Sequence, residues 1–191
     1  MINLGTKKLI LASQSPRRKE LLKGLGFDLE VRTKDTNEDF PEDLDASEVA
    51  GYLSKKKAKA FAQEIGPDEI VLTSDTVVIL DKKILGKPLD KEEAFKMLSG
   101  LSGKNHLVTT AVTFLSPDKQ LTLSDTAEVY FKELSVQEIE YYISRYKPFD
   151  KAGAYGIQEW IGFVGVEKIE GSYFTVMGLP IHLVYDVLKN W

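Results

Sequence analysis

Apolar and polar positions along this chain follow two periods, and the change from one to the other predicts its elements. Apolar or alternating runs, typical of strands, occupy 7–13, 27–33, 69–80, 105–115 and 120–131, with a turn and short return strand at 81–88. Helical spacing predicts helices after Ser15, over 46–61, 90–99 and 135–146, and from Leu179 onward. Glycine-punctuated residues 154–171 predict more strand. Strands first alternate with helices and then cluster, which predicts an α/β or α+β fold with a mixed sheet.

Composition narrows the class of protein. The 191 residues are 43% hydrophobic and 28% charged, as in an ordinary globular protein with a proper core. We expect a single domain over 1–191, with two lobes whose boundary the sequence does not mark. A net charge of −4 argues against broad nucleic-acid binding, and the lack of cysteine excludes disulfides and thiolate sites. With no signal segment or membrane-spanning run, we expect a cytoplasmic protein without a membrane partner.

The helix that begins at "SQSPRRKELL" carries positive charge at an unfavourable end. Ser15 is a suitable N-cap and Pro16 a suitable first residue. Arg17 and Arg18 then occupy the first turn, where the helix dipole disfavours each cation by about 0.3–1 kcal/mol. Two guanidinium groups beside free backbone N–H groups form an anion site, so we expect a phosphate chain to supply the missing negative charge.

Asp75 lies in the middle of the β-branched run "IVLTSDTVVIL". A carboxylate there is costly to bury unless it is paired, hydrogen-bonded or bound to a metal. The alternative is a strand that ends near Ser74, with Asp75 capping a turn. Because β-branched residues resume at Val77, we prefer a continuous strand with Asp75 inside it.

Lysines and a second acid extend this pattern. Lys57 falls on the apolar stripe of its helix, where it either snorkels to water or faces an anion, and the stripe does not decide between them. Lys87, between Gly86 and Pro88, and Glu38, in an acidic loop, would each alone be solvated surface. Several cations around a pair of carboxylates together describe a site for a polyphosphate and its divalent metal.

Other chemistries find little support in the sequence. No phosphate-binding P-loop and no dinucleotide fingerprint are present. His106 and His182 are each isolated, which indicates packed or surface residues rather than zinc ligands. Tyr141, Tyr142 and Tyr146 have helical spacing and are expected in the core rather than in a base-stacking platform.

Several motifs carry a family resemblance. The segment "LASQSPRRKELL" resembles the signature A-S-x-S-P-R-R of the Maf (Maf-like) nucleotide pyrophosphatases. Further blocks similar to that family follow in order: "KKKAKA", "LTSDTVVILDKKILGKP", "LSGKNHLVTTAV", "KPFDKAGAYGIQ" and "IEGSYFTVMGLPIHLVYDVL". The resemblance therefore covers nearly the whole chain without large gaps.

This resemblance implies a fold and an activity. Members share an elongated mixed β-sheet flanked by helices, with a nucleotide cleft between two lobes, as in the inosine-triphosphate pyrophosphatases. They are cytoplasmic, commonly homodimeric enzymes that use Mg²⁺ or Mn²⁺. They hydrolyse nucleoside triphosphates between the α and β phosphates to a monophosphate and pyrophosphate.

The resemblance also implies residue roles. Asp75 would be the catalytic base and Glu38 a second acidic group at the metal site. Phosphates would be bound by Ser13, Arg17, Arg18, Lys57 and Lys87. Thr76 and Gln158, with Arg17 as the third specificity position, resemble members acting on dTTP and UTP. Lys151 is either a phosphate ligand or a solvated turn residue, and Trp160 departs from the small residues expected there and would narrow or restack the pocket.

Two other functions stay open at this stage. The family name derives from an association with septum formation, so one alternative is a non-enzymatic regulator of cell division that binds a phosphate-bearing partner, with Asp75 structural. The other is a phosphatase that releases orthophosphate. Metal-dependent nucleotide turnover separates the enzymes from the regulator, and the product separates the two enzymes.

Overall fold

A computed structural model describes residues 4–191 of the chain, and within that range it contains seven helices and seven strands. The helices are α1 (Pro16–Gly24), α2 (Ala46–Lys59), α3 (Lys91–Leu101), α4 (Val136–Tyr146), α5 (Trp160–Gly165), α6 (Tyr173–Val176) and α7 (Ile181–Lys189). The strands are β1 (Lys8–Leu11), β2 (Leu29–Val31), β3 (Glu69–Leu80), β4 (Lys83–Leu85), β5 (Asn105–Leu115), β6 (Gln120–Phe131) and β7 (Val166–Glu170).

The strands form one mixed sheet in the order β2-β1-β3-β5-β6-β7, and β4 pairs with β3 beside that path. β1 pairs in parallel with both β2 and β3, whereas β3 with β4 and β6 with β7 are antiparallel pairs. The predicted mixed α/β class is therefore confirmed. β3 has a neighbour on both sides and is buried over most of its length, as its run of apolar residues predicts.

The chain divides into two compact units, each with its own core. The first unit contains the chain up to Asp75, Thr110–Asp125 and Gly178–Trp191. Its largest apolar cluster includes Leu9, Leu22, Leu72, Phe114 and Leu179. The second unit contains Thr76–Thr109 and Thr126–Met177. Its cluster includes Val78, Leu98, Phe131, Tyr142 and Ile161. The single-domain organisation inferred from the sequence stays a prediction.

One predicted stretch of strand is wrong in part. Within 154–171 only β7 is a strand, and α5 occupies Trp160–Gly165. The helix requires a glycine at 162, because a Cβ there would collide with the carbonyl oxygen of Ile157. Gly162 therefore marks a close approach of backbone inside a short helix and not a position within a strand.

The prediction that three tyrosines lie in the core is confirmed for one of them. Tyr142 on α4 is completely buried, but Tyr141 is 49% and Tyr146 36% exposed. Tyr141 is one residue away and points about 100° around the helix. Tyr146 lies at the end of α4 and stacks on Tyr142 with ring centroids 5.1 Å apart.

Candidate active site

The segment that precedes α1 is folded by local hydrogen bonds. Ser15 caps the helix, and its hydroxyl accepts from the backbone N–H of Arg18 at 3.4 Å. The Ser13 hydroxyl accepts from the Ser15 N–H at 3.2 Å and from Arg18 Nη1 at 3.3 Å. The predicted cap, with Pro16 at the start of the helix, is confirmed. These bonds fix Ser13 and Arg18 at the N-terminal end of the helix.

Arg18 spans two distant segments with its planar guanidinium group. Its Nη1 donates to the carbonyl oxygen of Ser74 and its Nε to that of Gly178, each at 2.8 Å. The Ser74 hydroxyl also donates to Gly178 O at 3.2 Å. Burial lowers the pKa of Arg18, and the charge of Asp75 opposes that shift. Backbone carbonyls and a carboxylate thus supply negative partners for a cation at the N-terminus of a helix.

Lys57 joins the two acids predicted for the metal site. Its ammonium donates to Glu38 Oε1 at 2.8 Å and to Asp75 Oδ1. Asp75 is only 8% exposed, and the Lys57 side chain is 20% exposed. The sequence left open whether the Lys57 ammonium extends to water or faces an anion. In the structure it faces anions, because it contacts two carboxylates. The carboxylates of Glu38 and Asp75 therefore share one cation, the Lys57 ammonium.

The strand that carries Asp75 is continuous. β3 runs through this residue to Leu80, so the preferred reading is confirmed and the alternative, a strand that ends near Ser74, is wrong. Buried hydroxyls attach α2 to β3 and to its neighbour β5. Thr73 Oγ1 of β3 donates to Ser54 O at 2.8 Å, and Ser54 Oγ donates to Thr113 Oγ1 of β5 at 2.9 Å. Ser54 lies one helical turn before Lys57, and Thr73 lies two residues before Asp75 on the same strand face. These hydroxyls set the register that brings Lys57 to Asp75.

Other predicted site residues belong to the second unit. Thr76 follows Asp75 in β3, Lys87 lies after β4, and Gln158 precedes α5. The Gly86 carbonyl accepts from the N–H of Gly153 at 3.0 Å, which attaches the loop of Lys87 to the 3-10 turn at Ala152–Ala154. The roles of these residues toward a substrate stay predictions.

Lys151 is buried and paired, so a solvated turn residue is the wrong description of it. It is 8% exposed, and its ammonium lies 2.7 Å from Asp150 Oδ1 and 3.2 Å from Glu159 Oε1. Glu159 also accepts a hydrogen bond from the hydroxyl of Tyr142. Sequence reasoning missed Glu159 and this use of Tyr142. The available signal was an ionisable residue directly after Gln158 in "GIQEWIG", a segment with no other charged residue.

One histidine is packed in the interior and the other lies on the surface, the two environments predicted for them. His106 is buried at 3% exposure, and its Nε2 is 2.8 Å from the Tyr155 hydroxyl. His182 is exposed on α7, 3.9 Å from Asp125. Over residues 4–191, no cluster of three or more histidine, aspartate or glutamate side chains is arranged to hold a metal. The same range contains no helix long and apolar enough to cross a membrane.

Comparisons with known proteins agree with the motifs. The family model described as Maf-like protein matches residues 8–191. A dTTP/UTP pyrophosphatase of Phocaeicola vulgatus is 52% identical over 189 residues, and one of Bacteroides thetaiotaomicron is 49% identical over 189 residues. Both alignments cover 98% of each chain. The solved Staphylococcus aureus Ham1 protein is similar at a TM-score of 0.49 and 14% identity, over 65% of this chain and 72% of that chain.

The family assignment thus has support along almost the whole chain. A family model over residues 8–191 and relatives about half identical at full length match the same region as the motifs at Ser13–Arg18 and Asp75. This chain therefore belongs to the Maf-like protein family.

Proposed function

We propose that this chain hydrolyses dTTP and UTP to the nucleoside monophosphate and pyrophosphate. The relatives that carry the name dTTP/UTP pyrophosphatase share 52% and 49% of its residues over nearly the full length. The observation that carries the proposal is the buried Asp75, whose carboxylate meets Lys57 and whose preceding carbonyl accepts from Arg18. A carboxylate held beside cations in this way suits proton abstraction from water and the neutralisation of phosphate charge.

Phosphoryl transfer depends mainly on positioning and on neutralising charge. Lys57 is suited to neutralise charge, because its ammonium bonds carboxylate oxygens that resemble the phosphate oxygens of a nucleotide. Arg17 and Lys87 are proposed as further phosphate-binding cations, with Ser13 as a hydroxyl donor. Arg18 adds its charge, and its two bonds to carbonyls support a second role in positioning Ser74 and the adjacent Asp75.

Asp75 is the proposed general base. As the oxygen of a water molecule attacks the α-phosphorus, the carboxylate takes the proton of that water. The bond between the α-phosphorus and the bridging oxygen breaks, and its electron pair leaves with pyrophosphate. The bond from Lys57 holds the Asp75 carboxylate in one orientation for this transfer.

Glu38 and Asp75 fit a divalent metal. Mg²⁺ prefers oxygen ligands and is usually held by one or two carboxylates together with waters and substrate phosphates. Both carboxylates here contact the same ammonium, so they lie close enough to share one cation. Mg²⁺ or Mn²⁺ bound by them would supply positive charge at the phosphate oxygens.

Base recognition is assigned to Gln158, Thr76 and Arg17. An amide offers a donor and an acceptor side by side, which matches the edge of uracil or thymine, and a hydroxyl donates or accepts as needed. Trp160 packs edge-on against Tyr141 with centroids 4.9 Å apart. That contact holds the indole on α4, and its effect on the choice of base stays a prediction.

A nucleotide panel tests this proposal. Phosphate release with Mg²⁺ or Mn²⁺ is measured with and without added inorganic pyrophosphatase, for wild type and Asp75→Asn. We expect signal only with the added enzyme, highest on dTTP and UTP, and at least about a hundredfold lower in the variant. Thermal melting of both proteins checks that the variant folds.

Three other results would contradict the proposal. Orthophosphate released without the added enzyme would indicate a phosphatase. Near-normal turnover by Asp75→Asn would remove the assignment of the base. No turnover by folded wild type would favour the regulator that binds a phosphate-bearing partner. The homodimer also stays a prediction, which light scattering after gel filtration tests.

A further inference from the structure

A chain of polar groups flanks Gln158 inside the second unit. The hydroxyl of Tyr142 accepts from the N–H of Gly156 at 3.0 Å and donates to Glu159 Oε2. The other oxygen of Glu159 pairs with Lys151 at 3.2 Å. The residues two before and one after Gln158 are therefore both attached to one hydroxyl of α4.

These groups are buried, so their pairing matters. Tyr142 is fully buried, and the side chains of Lys151 and Glu159 are 9% and 18% exposed. Burial raises the pKa of Tyr142, and Glu159 adds to that shift, so the phenol keeps its proton and remains a donor. A buried hydroxyl or ammonium that loses its partner is left with an uncompensated desolvation cost. The network therefore favours one arrangement of residues 156–159.

Gly156 completes this arrangement by lacking a side chain. A Cβ at this position would lie 2.9 Å from Glu159 Cδ and 3.0 Å from Gln158 Nε2. Both side chains thus lie directly against the bare backbone of Gly156. The end of the Gln158 amide is held on one side by this backbone, next to a carboxylate that is itself fixed by Tyr142 and Lys151.

We propose that Tyr142, Lys151, Glu159 and Gly156 are positioning residues that fix the Gln158 amide in one orientation for reading the base. This inference rests on the proposed function, in which Gln158 contacts the pyrimidine. Uracil and thymine offer an acceptor at O4 and a donor at N3, whereas cytosine offers a donor at N4 and an acceptor at N3. An amide free to rotate by 180° pairs with either pattern, but a fixed amide pairs with one. Fixation therefore excludes cytosine.

Gly156→Ala tests this directly. The new Cβ would lie 2.9 Å from Glu159 Cδ and 3.0 Å from Gln158 Nε2, so the ends of both side chains must move. Both contacts are with side-chain ends rather than backbone, so the protein should fold while the amide and its neighbouring carboxylate are displaced. We expect the ratio of kcat/KM for UTP over CTP to fall about tenfold, with a smaller change in kcat for UTP. The matched control is Gly100→Ala on α3, where the nearest atom, Leu80 Cδ2, would be 3.7 Å away and the ratio should not change.

Tyr142→Phe provides a second variant and a measurement independent of turnover. Removing the hydroxyl should lower the UTP to CTP ratio in the same direction and speed hydrogen exchange at the Gly156 amide. An unchanged ratio in both variants of an active enzyme, or unchanged exchange at Gly156, would overturn the inference. A lower melting temperature with the ratio intact would make the network structural only. Wild type that does not hydrolyse UTP would refute the proposed function, and the exchange result would still decide the positioning role.

Discussion

The substitution Arg18→Lys tests whether the forked geometry of the guanidinium group is needed in addition to its positive charge. Arg18 uses two different nitrogens for two carbonyls, Nη1 for Ser74 and Nε for Gly178. A lysine keeps the positive charge at the start of α1, but its donors radiate from a single nitrogen on a flexible stem. We expect the variant to keep one of these bonds and lose the other.

The two distances set the size of the effect. Each bond is 2.8 Å long and has a charged donor, a class that contributes about 1.5–3 kcal/mol to stability. Ser74 is 1% exposed, so water cannot easily replace the lost partner of its carbonyl. Losing one bond should therefore lower the free energy of unfolding by about 1.5–3 kcal/mol. For a chain of this size the melting temperature should fall by roughly 3–12 °C.

Urea unfolding and steady-state kinetics measure this together. The urea concentration at the midpoint of unfolding should fall, and the dependence of the unfolding free energy on urea should not change. The value of kcat should also fall, because Arg18 holds Ser74 and the next residue is Asp75, the proposed base. A matched control is Arg145→Lys at an exposed position of α4, for which we expect a change within about 0.5 kcal/mol. Unchanged stability of Arg18→Lys, with only KM raised, would refute the reasoning and leave Arg18 as a phosphate ligand alone.

Two further predictions concern His106 and Lys57. Burial lowers the pKa of His106 to about 4, below the ordinary value of 6.5, so its contribution to stability is complete above about pH 6.5 and is lost as the pH falls toward 4. At pH 4.5 this loss amounts to roughly 2–3 kcal/mol of the free energy of unfolding. His106→Gln should remove that part of the pH dependence, so an unfolding free energy that falls with pH as steeply in the variant as in wild type would contradict the prediction. Lys57→Met removes the cation shared by Glu38 and Asp75, so calorimetry without nucleotide should show tighter Mn²⁺ binding while turnover falls. Weaker Mn²⁺ binding would contradict the assignment of these carboxylates to the metal.

Local chemistry made part of the site predictable. Ser15 and Pro16 predicted the start of α1 correctly, because helix capping depends only on neighbouring residues. Asp75 stood out because a carboxylate inside a β-branched run is costly, and the continuous β3 confirms that reading. Lys57 was identified by its place on an apolar stripe, although the stripe did not say what its ammonium would meet.

Contacts between distant segments were not predictable from the sequence. Arg18 and Gly178 are 160 residues apart, and no local pattern says that the carbonyl of Gly178 will accept a hydrogen bond from this arginine. Residues 160–165 were predicted as strand because spacing does not reveal that Ile157 O lies against Gly162 in a helix. Glu159 was overlooked for the same reason, since its partners Tyr142 and Lys151 lie on other elements.

The two cores have a consequence for how such a protein changes during evolution. The cluster that contains Leu72 and Phe114 lies in the unit of Asp75, and the cluster that contains Tyr142 and Ile157 lies in the unit of Gln158; they have no residue in common. Mutations of the apolar residues at 154–160, which flank the proposed base-recognition residue Gln158, repack the second cluster and not the first. If the proposed roles hold, selection can alter the residues around Gln158 while the packing beneath Asp75 is inherited unchanged.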